Sequence, residues 1–200
     1  AATRGDVSLI KSLLDHGADI NARFPRGSTT KQLPSGHSLD NRLAGATPFV
    51  LAACAGRSDA MRLLAAKGAD LSIPLRDGRT VIMALAGRET QTVQGPHLAE
   101  AQVVETIKLA IQLGASVNQA DPNGDTALHV AATRRRDLIV QALVDSGAML
   151  GARNHDGETP LAAALKPPPP AKGSGKTDDY EFLLKHTQTA DLLRKLGAST

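Results

Sequence analysis

The 200-residue sequence predicts an all-α solenoid of about five stacked helix–turn–helix units joined by hairpin loops, with the first unit incomplete. Three observations predict it. A Thr followed by an apolar, Ala-rich run recurs at Thr47, Thr80, Thr126 and Thr159, and two of the three intervals are 33 residues. A Gly-Ala pair recurs at Gly17, Gly68, Gly114, Gly147 and Gly197. From Gly to the next Thr the distance is 12 residues in all but one case, and from Thr to the next Gly it is 21 wherever no insertion intervenes. Aromatic residues make up only 2% of the chain, so its core must consist of thin layers of Ala, Leu, Val and Ile.

Taken in order, the units fall at about 1–22, 45–73, 78–119, 124–152 and 157–200, within a single domain covering 1–200. The intervals that break the period locate three insertions, at about 24–43, 87–99 and 166–177. The first lengthens a hairpin loop and is rich in Gly, Ser, Thr and charge, the composition of either a functional loop or a tolerated surface insertion. The other two separate the paired helices of the third and last units, at the opposite end from the hairpins. The last contains Pro167-Pro168-Pro169-Pro170, which favours extended geometry and cannot continue a helix.

Each marker has a mechanical reason. Thr at the start of a helix caps a backbone N–H, and in Thr47-Pro48 and Thr159-Pro160 the proline removes a second one. Small residues that follow, such as Ala52-Ala53 and Ala131-Ala132, let neighbouring first helices approach closely. The second helices carry apolar residues at helical spacing: Leu9, Ile10, Leu13 and Leu14; Met61 and Leu64; Ile107, Ala110 and Ile111; Ile139, Val140, Leu143 and Val144. Each run stops at a Gly-Ala glycine, which can take the left-handed conformation that closes a helix. Asp77-Gly78, Asn123-Gly124 and Asp156-Gly157 then mark hairpin tips. In the last unit Thr177-Asp178-Asp179 reads as a helix start, predicting a long second helix from about Asp178 to Leu196 that acts as a C-terminal cap.

The 33-residue period, with Thr126-Ala127-Leu128-His129 and Gly17-Ala18-Asp19-Ile20-Asn21-Ala22, resembles the ankyrin repeat over most of the chain. Only His129 occupies the histidine position of that family; Val50, Met83 and Ala162 stand there in the other units. The resemblance implies that His129 ties the loop before its helix to neighbouring elements. It also implies a concave surface of hairpins and first helices whose tip residues choose a protein partner. Mapped onto this sequence, the tips carry Leu75, Arg76, Asp77 and Arg79; Asp121, Asn123 and Asp125; and Asn154, His155, Asp156 and Glu158. The expected function is a non-catalytic protein-binding scaffold, a monomer holding another protein. A structural spacer within a longer multidomain chain is the alternative.

Other classes find little support. The net charge of +3 is well short of the dense basic face that nucleic-acid binding needs, and few aromatics are available to stack on bases. Arg134-Arg135-Arg136 lies at a turn between paired helices and reads as a solvated turn ahead of a phosphate or acidic-partner site. Gly173-Ser174-Gly175-Lys176-Thr177 resembles the end of a phosphate-binding loop, but Pro170 stands where its first glycine belongs, and no strand precedes it. The six histidines, His16, His37, His97, His129, His155 and His186, include no pair at the spacing that puts two metal ligands on one helix face. Cys54, the only cysteine, falls on the Ala-rich face of a first helix and reads as packing. No nucleophile–base grouping follows a strained strand-to-helix turn, so neither catalysis nor a cofactor is expected. No stretch approaches the ~20 apolar residues of a membrane span, and a soluble segment is expected; the compartment is left open.

Ala1-Ala2 aligns with Ala52-Ala53, inside a first helix. The natural protein is therefore expected to continue N-terminally, because a repeat unit depends on its neighbours for burial. Adding one or more repeats ahead of Ala1 should raise the melting temperature; an unchanged value in thermal unfolding would count against this expectation.

Overall fold

The computed structural model describes residues 1–24, 43–87, 98–166 and 188–199. Every regular element among the described residues is helical. After a 3-10 turn at Ala2–Arg4 come α1 (Val7–Asp15), α2 (Pro48–Cys54), α3 (Ser58–Ala66), α4 (Val81–Ala86) and α5 (Glu100–Gln112). These are followed by α6 (Ala127–Thr133), α7 (Asp137–Asp145), α8 (Pro160–Leu165) and α9, described over 188–195. The chain divides into two compact parts, Ala1–Ser116 and Val117–Thr200. The tetraproline and the predicted helix start near Asp178 lie outside the described residues, as does most of each insertion.

First helices of six or seven residues alternate with second helices of nine or thirteen. Each first helix begins at its threonine, and all four threonines are buried. The Thr47, Thr80 and Thr159 hydroxyls accept from the N–H groups of Val50, Met83 and Ala162 at 3.4, 3.2 and 3.3 Å. At Met83, which stands where the histidine is absent, the thioether sulfur takes the Thr80 N–H at 3.4 Å. The glycines at the ends of the second helices all have positive φ, between 83° and 111°.

In the first part, α2 packs on α3 and α4, α4 on α5, α3 on α5 and α1 on α3. Phe49, Ala52, Ala53, Met61, Leu64, Ile82, Leu85, Ile107 and Ala110 are each 1% exposed or less, forming layers of small and branched side chains. Cys54 is buried within α2, as packing requires. The expected burial fails at α1. Ile10 is buried there, but Leu9 and Leu13 are 43% and 46% exposed, whereas their counterparts Ala60 and Leu64 on α3 are at 0% and 1%.

In the second part, α6 packs on α8 and on α7. Ala131, Ala132 and Ala164 are fully buried where the two first helices approach, and Ile139, Val140 and Leu143 line the inner side of α7. The Thr189 hydroxyl of α9 donates to the Asp137 carboxylate at the start of α7. Arg135 occupies the turn position that is glycine in the first two repeats (Gly5, Gly56), and it alone among non-glycine residues described has positive φ, 54°. Its guanidinium donates to the Lys166 carbonyl at 3.2 Å, so one member of the arginine cluster caps the C-terminal end of α8.

Asparagine side chains link successive repeats. Asn21 accepts the Asp70 N–H at 2.9 Å, and Asn118 accepts the Met149 N–H at 2.9 Å while donating to the Gly147 carbonyl at 3.0 Å. At the matching places in the second and fourth repeats stand Ser72 and Gly151, and the Ser72 hydroxyl donates to the Asp70 carboxylate at 2.6 Å.

Leu64 and Leu13 occupy matching positions with opposite exposure, which gives a direct comparison. Leu64→Ala should cost about 2–5 kcal/mol as a cavity-forming change, and Leu13→Ala about 1 kcal/mol or less. Urea unfolding of both variants measures the difference, and equal losses would contradict the packing described.

Candidate functional site

Among the described residues four hairpins leave the helix ends, and each closes on the same pair of backbone contacts. Leu75 N–H donates to the Arg79 carbonyl (2.8 Å), Asp121 to Asp125 (2.9 Å) and Asn154 to Glu158 (3.0 Å), while Gly78, Gly124 and Gly157 donate back to the opening residues at 2.9–3.0 Å. Phe24 and Ala46 make the equivalent pair at 2.8 Å, with Gly45 donating to Phe24 at 3.0 Å. The first insertion therefore leaves and returns through a closed hairpin base.

Side chains complete three of these turns, the Asp77 carboxylate accepting the Arg79 N–H at 3.2 Å in one of them. The Asp121 carboxylate accepts the N–H groups of Asn123 and Asp125 at 2.8 and 3.0 Å. Asn154 does the same for Asp156 and Glu158 at 3.1 and 2.9 Å. Its amide also donates to the Asp125 carboxylate of the preceding hairpin at 2.9 Å. Leu75 cannot make such bonds, and it does not sit at an exposed tip as expected. It is 2% exposed and packs inward, because an apolar side chain at the hairpin opening gains more from burial than from water.

The remaining candidates sort by exposure. Arg76, Asp77, Asn123, His155 and Asp156 are exposed; Arg79, Asp121, Asp125, Asn154 and Glu158 are half-buried. Asp77 pairs with Arg79 at 2.7 Å, and Glu158 pairs with Lys166 at the end of α8. The hydrogen bond from Lys166 holds the Glu158 carboxyl below its ordinary pKa, and Glu158 in turn holds the Lys166 ammonium above its own.

Backbone contacts set neighbouring tips side by side. Arg76 N–H donates to the Ala44 carbonyl, and His155 N–H to the Asn123 carbonyl, each at 2.9 Å. His129, 1% exposed, fastens the last pair from below. Its Nδ1 accepts the Thr126 N–H at 3.2 Å, which leaves Nε2–H to donate to the Glu158 carbonyl at 2.9 Å.

Two residues that hold the tips were not foreseen. Arg23 donates to the carbonyls of Gly45 (3.3 Å) and Pro74 (2.6 Å), and Arg153 to that of Gly157 (2.6 Å). Both lie six residues after a Gly-Ala glycine, and that shared offset was the signal available in the sequence. Pro122 is a further exposed tip residue. Among the described residues no cluster of His, Cys, Asp and Glu could hold a metal ion, and no helix is long and apolar enough to cross a membrane.

Two family models match this chain: "Ankyrin repeats (3 copies)" over residues 97–195 and "Ankyrin repeat" over residues 1–24. The B-cell lymphoma 3 protein homolog of Mus musculus is 31% identical over 121 residues, covering 60% of this chain and 24% of that protein. Rabankyrin-5 of Homo sapiens is 33% identical over 100 residues, covering 49% of this chain and 8% of its own length. An L-asparaginase of Dirofilaria immitis is 26% identical over 188 residues, covering 83% of this chain and 28% of the enzyme. The chain thus spans less than a third of the length of each of these relatives.

Two predictions follow from the tip geometry. A Cβ on Gly124 would lie 2.9 Å from the His155 backbone nitrogen, whereas one on Gly157 meets nothing within 4 Å, although both residues have φ near 80°. Gly157→Ala should cost about 1 kcal/mol for its backbone conformation, and Gly124→Ala a further 1–3 kcal/mol or so for crowding. Similar urea midpoints for the two variants would rule out close packing between these tips. The Glu158–Lys166 pair has a signed pH dependence. A depressed carboxyl pKa adds stability above the unfolded value of about 4.3, and a raised ammonium pKa adds it below about 10.4. The stability gap between the natural protein and Lys166→Met should therefore hold steady from about pH 5 to 9 and narrow as pH falls towards 3. A gap that widens in acid would refute the pairing.

Proposed function

This chain belongs to the ankyrin-repeat family, whose repeats are generally protein–protein interaction modules, and from that premise we propose that it is a non-catalytic scaffold. It holds another protein, as a monomer, through its hairpin tips and the concave face of its first helices. The observation that carries this reading is a division of labour at the tips. Asp77, Asp121, Asn154, Arg23 and Arg153 satisfy the turn backbones, while Arg76, Asn123, His155 and Asp156 stand exposed on loops fixed from beneath. A pre-ordered loop loses little conformational freedom when it binds, so more of its contact energy appears as affinity.

The exposed set mixes both signs of charge with an amide and an imidazole, which suits a polar protein surface better than a phosphate backbone. The match to an L-asparaginase, at 26% identity over 28% of that enzyme, carries no catalytic role to this chain. A second reading, a spacer within a longer protein, draws on the small share of each relative that the chain covers.

Site-specific photo-crosslinking in the cells of origin tests the scaffold. A crosslinking residue at Asn123 or at His155 should trap the same protein, and one at Glu105, exposed on α5, should not. Replacing Asn123, His155 and Asp156 together by Ala should weaken binding of the trapped protein by tenfold or more, about 1.4 kcal/mol, with unchanged helicity. No adduct from either tip, alongside normal assembly of the full-length protein, would favour the spacer. Equal adducts from all three positions would overturn the assignment to the tips.

A further inference from the structure

We draw no further inference here: the strongest candidate, the half-exposed apolar stripe of Leu9 and Leu13 on α1, carries nothing because nothing in the structure shows what covers it.

Discussion

The structure depends on one constraint: among the described residues, no helix is long enough to be stable alone in water. A helix of six or seven residues closes only two or three internal hydrogen bonds after the cost of nucleation, and in water it would melt. The fold meets this constraint by starting each first helix at a buried threonine and pressing small side chains against the neighbouring helix. Ala131, Ala132 and Ala164 show the result, with α6 and α8 in contact through residues that have almost no side chain to lose entropy. Large rings would force these layers apart, which explains how a chain with so few aromatics forms a core at all. Leu9 and Leu13 show the converse, 43% and 46% exposed on α1 where the matching Ala60 and Leu64 of α3 are buried.

The same economy governs the hairpins. A short loop at the end of paired helices exposes backbone donors and acceptors, and each unsatisfied one costs free energy. Asp121 and Asn154 answer this within their own turns, and Arg23, Arg153 and His129 answer it from outside. With the backbone satisfied by these groups and by Asp77, the exposed side chains of Arg76, Asn123, His155 and Asp156 are left at the crest for other work. Such a crest can vary in chemistry without disturbing the helices below, and for that reason the fold suits recognition more than catalysis.

Where the histidine is replaced, the helices persist but the cross-repeat tie does not. Met83 keeps the local half of the contact, its sulfur accepting the Thr80 N–H; Val50 and Ala162 keep only the threonine cap. The helix start and the link to the next repeat are therefore separable functions, met by different atoms of one residue in His129 and by fewer atoms elsewhere.

The sequence by itself determined whatever depends on neighbours a few residues apart: the period, the threonine starts, the glycine stops and the all-helical content. These are local hydrogen-bonding and steric requirements, and they leave a mark at fixed spacing. Which tip residues face water was decided by the tertiary structure. Leu75 carries the same turn signal after it as Asp121 and Asn154 yet goes inward, and Arg23 reaches a carbonyl 51 residues away. Asn154 meets Asp125 across 29 residues. Exposure and long-range pairing are set by what another repeat places alongside, and spacing within one repeat holds no record of that.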